Sequence, residues 1–331
     1  MDRVSLSALA RFVAPLLAGL VVSCGGSPGV ASTGSLPNAC GENFVDANCR
    51  TIEFGGDTRA YLLHVPANFQ SGSGALVIAL HGSRGSGLRL SETSGLSSES
   101  DRKGFAVAYP FALVSPGSGV TMWNEFFNRS FGRNPPDDVG FIRTLIQTLQ
   151  AEVNPDPKRI FVTGLSNGGF MAHRVAVELS DLVAAIGVVE GTLVSPGDPA
   201  RVPRPVAPVS VLILHGDQDP IVPCCSRPPV ASQEQTFNYW IGPSANACST
   251  IDTSKPICDS RGNPIAIEKN ATGCRGNTEV RYYRLEGGVH HWYTGPMNIP
   301  GQSPFNPDFD AATGVTTDDI LWNFFASHPK A

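Results

Sequence analysis

Arg159-Ile160-Phe161-Val162-Thr163-Gly164-Leu165-Ser166-Asn167-Gly168-Gly169-Phe170-Met171-Ala172-His173-Arg174 is the stretch whose reading decides the fold. Its apolar start predicts a buried strand, and the residues after Ser166 predict a helix. Between them, glycines stand two before and two after a serine. A sharp strand–turn–helix holds its central residue in a strained conformation, and side chains at the flanking positions clash. Gly164 and Gly168 remove those clashes, so the Ser166 hydroxyl projects from the strand end as in a nucleophile elbow.

Working outward, strands and helices alternate from Thr51 onward, which predicts a mostly parallel α/β sheet covered on both faces. The apolar runs at residues 60–65, 75–80, 105–109, 159–163, 183–189, 209–214 and 279–285 predict strands. Helical spacing predicts helices over 137–153, 167–179, 233–241 and 317–327, with Asp137 as N-cap of the first. Residues 242–278 show weak periodicity and contain Cys248, Cys258 and Cys274, so a disulfide-tied surface excursion is expected there.

A serine hydroxyl needs a base, an acid to orient that base, and donors for an oxyanion. Each is offered at a predicted strand end. The last strand runs into Gly287-Gly288-Val289-His290-His291-Trp292, where either histidine is a candidate base. The strand before it runs into His215-Gly216-Asp217-Gln218-Asp219-Pro220, with Asp217 and Asp219 as candidate acids. Asp217 after glycine also fits a turn-forming aspartate. The backbone N–H groups of Ser83, in His81-Gly82-Ser83-Arg84-Gly85, and of Asn167 are the candidate oxyanion donors. His81 comes too early in the chain to be the base and reads as a brace of that loop. The order serine, acid, histidine is that of α/β-hydrolases and differs from the trypsin-like and subtilisin-like orders. No metal or organic cofactor is called for: Cys224-Cys225 and His290-His291 are adjacent pairs, unlike the spaced pairs of zinc sites.

The chain has 331 residues, 41% of them apolar and only 16% charged, with 35 Gly and 27 Pro. That suits a compact body with many loops. A net charge of −5 gives no field favouring nucleic acid. Residues 1–23 read as a signal peptide, with an apolar core at 12–22 too short to span a bilayer. Val21-Val22-Ser23-Cys24-Gly25 resembles the bacterial lipobox, which implies lipid attachment at Cys24 and an extracytoplasmic, membrane-anchored protein. Ordinary cleavage nearby, with Cys24 discarded, is the alternative. Residues 24–50 form a Gly/Ser/Pro-rich tether with a small loop that Cys40 and Cys49 are able to close, and 51–331 form one catalytic domain. Seven cysteines remain without Cys24, so one thiol is left over or paired outside the chain. Vicinal Cys224-Cys225 has no evident partner other than itself.

At this point the elbow, from Val162 to Arg174, resembles that of the polyhydroxybutyrate depolymerase-like esterases, which are similar to the feruloyl and acetylxylan esterases of carbohydrate esterase family one. Leu80-His81-Gly82 and Asp137-Asp138-Val139-Gly140-Phe141 also match. The family's His-Gly-x-x-Asp-x-x-Val-Pro loop selects Asp219, and its Gly-Gly-Gly-His-x-Trp motif selects His290. The resemblance implies an α/β-hydrolase fold, a Ser166–His290–Asp219 triad, and an ester substrate: a polyhydroxyalkanoate-type polyester or its oligomers, or alternatively a feruloyl or acetyl ester on plant polysaccharide. It further implies that Cys248 pairs with Cys274 and that Trp123 and Trp292 wall the substrate pocket, although both also suit core packing. Two departures stand out: Ser83 where the family often has cysteine, and Tyr293 where it usually has proline. A non-catalytic binding protein on this scaffold would be expected to lack triad members, and a peptidase to carry a gating domain; neither expectation fits this sequence.

Overall fold

The uninterrupted apolar runs become strands buried on both faces, as parallel sheets covered by helices require. The computed structural model describes residues 48–125, 131, 134–193, 202–223, 230–258, 262–293 and 316–331. Within them lie ten strands: β1 Cys49–Phe54, β2 Asp57–His64, β3 Leu76–Leu80, β4 Ala106–Pro110, β5 Ile160–Leu165, β6 Ala185–Val189, β7 Ser210–Gly216, β8 Thr250–Cys258, β9 Pro264–Thr272 and β10 Val280–Leu285. They form one sheet in the order β1-β2-β4-β3-β5-β6-β7-β10-β9-β8. The six strands from β4 to β10 in that order are parallel, and an antiparallel pair flanks them on either side.

Alternating side chains sort to two faces. Leu76, Ile78 and Leu80 pack with α3 (Asp138–Val153), α4 (Asn167–Glu178) and α5 (Gln233–Ile241), through residues such as Phe141, Val175 and Trp240. Ala75, Val77 and Ala79 share the opposite cluster with Leu90 of α1 (Gly87–Thr93), Leu96 of α2 (Leu96–Lys103), and Leu321 and Phe325 of α6 (Thr317–Ser327). Phe325 stacks on Phe161 of β5 with ring centroids 4.8 Å apart. The helix starts follow the sequence: Asp137 caps α3 by accepting from the Gly140 amide, and Ser232 and Thr316 form capping boxes on α5 and α6. No helix of the described residues is long and apolar enough to cross a membrane.

Three expectations change. The sheet begins at Cys49, two residues before the expected domain start, because Gly55-Gly56, both at positive φ, turn β1 back onto β2 as a hairpin. Helices α1 and α2 follow the oxyanion loop unannounced, since their short, polar sequences carry little periodic signal. Residues 242–278 are no surface excursion: β8 and β9 extend the sheet beyond β10. Pro256 is tolerated because β8 is an edge strand, and a register shift between Asp252 and Lys255 interrupts its alternation, which is why the strand is hard to see in sequence. The Cys248–Cys274 disulfide is formed beside this hairpin, Cys49 is disulfide-bonded, and Cys258 is a free, exposed thiol. Cys24, Cys40, Cys224, Cys225 and residues 1–23 lie outside the described residues.

Candidate active site

Register brings the site to one edge of the sheet. Leu80 of β3 pairs with Gly164 of β5, Leu165 with Val189 of β6, Val189 with Leu214 of β7, and Gly216 with Leu285 of β10. Loops leaving these strand ends therefore emerge side by side.

Ser166 occupies φ 56°, ψ −120°, between the last residue of β5 and the first of α4, and its amide donates to Val189 O at 3.0 Å. A non-glycine residue held there stores roughly 1–3 kcal/mol of strain. The flanking glycines are needed for contact. A Cβ on Gly164 would lie 2.2 Å from Gly168 O, and one on Gly168 would lie 2.1 Å from Leu80 O. Both obstacles are backbone and cannot swing aside. Gly168→Ala is therefore expected to cost at least about 2 kcal/mol in urea unfolding, the upper part of the overpacking range, and to lower esterase turnover by displacing the elbow. Wild-type stability in that variant would contradict the packing argument.

The loop after β3 is tied down from several sides. His81 is buried and neutral: Nδ1 donates to Gly82 O at 2.8 Å and Nε2 accepts from Ala112 N at 3.0 Å. Burial pulls its pKa down to about 4. Arg84 N donates to Thr121 O, and Thr121 Oγ1 donates to Gly85 O. Trp123 N donates to Asn167 Oδ1 at 2.6 Å, which fixes the start of α4 against the same segment. The amides of Ser83 and Asn167 donate to no protein group among the described residues, and both residues line one cavity with Ser166.

Beyond β7 the two aspartates separate by role. Asp217 Oδ1 accepts from Gly287 N at 2.7 Å, a turn contact. Asp219 is buried. Its Oδ1 accepts from the amides of Ile221 (2.7 Å) and Val222 (2.9 Å), and its Oδ2 accepts from His290 Nδ1 at 2.7 Å. Burial alone would raise the Asp219 pKa; hydrogen bonds from His215 and His290, the charge on His290 and the Val222 amide outweigh it and hold the carboxyl well below the usual range. Asp219 is thus ionised and aimed at His290.

Sequence reasoning missed Glu190. It follows β6 directly, at φ 49°, fully buried. Both its oxygens lie within hydrogen-bond reach of Gly216 N (3.0 and 3.1 Å), and Oε1 is 2.8 Å from Tyr293 Oη. Burial first, and the charge of Asp219 second, push its pKa well up. Tyr293 Oη donates to Glu190 Oε1 and also contacts Val289 O, which ties the segment after His290 to the Glu190 side chain. The departure from the family's proline at 293 thus has a structural use. The one available signal was an acid directly after a wholly apolar strand. Glu190, His215 and Asp219 place ligand atoms within 4.8 Å of one another. His215 Nε2, however, donates to Val222 O at 2.8 Å, so this nitrogen carries a proton and Asp219 Oδ2 is spent on His290. The group forms a hydrogen-bond cluster in which His215 Nδ1 is buried without a hydrogen-bond partner among the described residues.

The cavity at Ser166 holds about 270 Å³ and is walled by Met122, Phe170, Ile221, Val222, Pro223 and Val230, with Glu125 also on its lining. The expected aromatic walls are corrected. Trp123 is fully buried, with Nε1 donating to His81 O at 2.9 Å, and Trp292 is 3% exposed, with Nε1 donating to Ser94 O at 2.9 Å. Neither lines the cavity; each braces a loop through its indole N–H.

A parallel sheet flanked by helices, with a strained serine, free amides and an acid–histidine pair at its strand ends, defines an α/β-hydrolase. Comparison with known proteins agrees. The family model described as esterase PHB depolymerase matches residues 59–202. NocK of Nocardia uniformis subsp. tsuyamanensis, whose name is "Putative esterase NocK", is 36% identical over 296 residues, covering 83% of this chain and 81% of NocK. Feruloyl esterase C of Emericella nidulans is 24% identical over 180 residues, covering 54% of this chain and 60% of its own length. The solved acetyl xylan esterase from Aspergillus awamori superposes with a TM-score of 0.51 at 18% identity, over 73% of this chain and 93% of its own, which speaks for the fold alone. The chain belongs to the esterase PHB depolymerase family and is a carboxylic ester hydrolase.

Proposed function

We propose that the chain is a serine esterase working through an acyl-enzyme. Ser166 attacks the ester carbonyl. His290 takes the Ser166 proton and passes it to the leaving alcohol, and Asp219 holds the imidazole and stabilises its charged form. The amides of Ser83 and Asn167 donate to the oxyanion. Water, activated by His290 in turn, releases the acid. The observation that carries the reading is the cavity itself: it brings the strained Ser166 together with two unspent amides, and the loop held by Asp219 forms its far wall.

The substrate reading is a hydroxyalkanoate polyester or its oligomers, supported by the family match and by a mainly apolar cavity of short-acyl size. A feruloyl or acetylxylan ester is the second reading, supported by relatives bearing those names. The extracytoplasmic location, the leader at 1–23, a tether from 24 to the start of the sheet at Cys49 and the lipid on Cys24 remain part of the proposal; the disulfides at Cys49 and Cys248–Cys274 support an oxidising compartment. A panel of hydroxybutyrate oligomers, methyl ferulate and acetylated xylan tests the substrate. The highest kcat/KM is expected on the oligomers; preference for methyl ferulate or acetylated xylan would establish the second reading in its place.

A further inference from the structure

A second cavity, of about 340 Å³, adjoins the first at Ser83 and reaches Leu165, the residue before the proposed nucleophile. Its chemistry is opposite to its neighbour's. Arg84 and Arg89 line it, and none of its lining residues is acidic, whereas the Ser166 cavity is mainly apolar and carries Glu125. Neither guanidinium has an ion-pair or hydrogen-bond partner among the described residues, although acids outnumber bases in the chain by 29 to 24. Arg84 also sits at φ 65°, a left-handed conformation that disfavours any side chain and suits glycine. Strain kept beside a reaction centre is itself a pointer to function. Here it directs a guanidinium over the cavity next to the proposed oxyanion donor.

Building on the proposed esterase reaction, we infer that Arg84 and Arg89 form a subsite for a carboxylate carried by the ester's leaving group, so that the enzyme cleaves oligomers of hydroxy acids from their free acid end. The chemistry fits without further reagents. Hydrolysis of a hydroxy-acid dimer breaks the acyl C–O bond, and the leaving alcohol, protonated by His290, is itself a hydroxy acid bearing a carboxylate. The apolar acyl half occupies the mainly apolar Ser166 cavity, and the charged half lies against the two arginines. Arginine pairs with carboxylates through two parallel N–H donors, a geometry a neutral sugar ester does not match.

The test compares the linear hydroxybutyrate dimer with its methyl ester, using p-nitrophenyl butyrate as a third substrate. The full-length enzyme is expected to favour the free acid in kcat/KM by about tenfold, the order expected of two partly solvated charge-assisted contacts. Added salt shrinks the ratio. Arg89→Gln and Arg84→Gln each lower it, mainly through KM, and together bring it towards one. Using both positions guards against loop disturbance at Arg84. Turnover of p-nitrophenyl butyrate with equal rates on acid and methyl ester, or a ratio untouched by both substitutions, overturns the subsite and leaves the esterase reading standing. Absence of turnover on all three substrates overturns both.

Discussion

Ser166→Ala is expected to abolish ester hydrolysis, lowering kcat on p-nitrophenyl butyrate by roughly 10⁵- to 10⁶-fold while leaving stability within about 0.5 kcal/mol. The separation of the two effects follows from the geometry. The Ser166 hydroxyl makes no packing contact on which the fold depends: the elbow is held by the Ser166 amide on Val189 O and by the glycine approaches around it. Alanine keeps that backbone. The proposed oxyanion donors are main-chain amides and survive the change, so the substrate is expected still to bind, with little movement in KM. What disappears is the proposed nucleophile, and with it the expected labelling by a fluorophosphonate probe. Triad members act as a unit, so adding Asp219→Asn to Ser166→Ala costs almost nothing further. Activity above a few per cent in a contamination-controlled preparation would remove Ser166 from its role.

How far the sequence reveals this site depends on which physical rule each residue obeys. The elbow is legible because only glycine meets the approach of Gly168 to Leu80 O, so the steric demand is written directly in residue type. The parallel strands are legible because burial on both faces demands unbroken apolar runs. Asp219 and Asp217 are alike by local residue type; resemblance to the family's loop selects Asp219, and the structure gives the reason, since Gly287 N takes one carboxylate and His290 takes the other. The β8–β9 hairpin escapes because edge strands tolerate proline, polar residues and a bulge, which leaves no period to read. Trp123 and Trp292 mislead for a related reason: an aromatic beside a motif is read as a pocket wall, while the indole N–H of each serves a buried carbonyl. Glu190 is the deepest omission. A single acid after a strand resembles any loop acid until its partners Gly216 and Tyr293 arrive from two other strand ends.

Those partners make Glu190 the second position where a large effect is expected. Glu190→Ala removes the acceptor for both Gly216 N and Tyr293 Oη inside a sealed region, and leaves a void; the expected loss is about 3–5 kcal/mol in urea unfolding. Gly216 opens the loop that bears Asp219, so kcat falls as well, on the order of a hundredfold if Asp219 shifts by an ångström against His290. Glu190→Gln should behave in the opposite way. The amide keeps the shape of the side chain and a carbonyl acceptor between Gly216 N and Tyr293 Oη, so the fold and the Asp219–His290 contact persist. The pH dependence then distinguishes the proton from the shape. The folded-state pKa of Glu190 is raised, so the native protein keeps a proton that the unfolded chain releases above about pH 4.3. Stability contributed by this group is therefore complete below that pH and is lost steadily as pH rises towards the folded pKa. Glutamine does not titrate. Relative to wild type, Glu190→Gln is expected to be level in acid and progressively more stable towards neutral pH, with the lowered Asp219 contributing equally to both proteins. Parallel stability curves across that range would mean that Glu190 is ionised in the folded state.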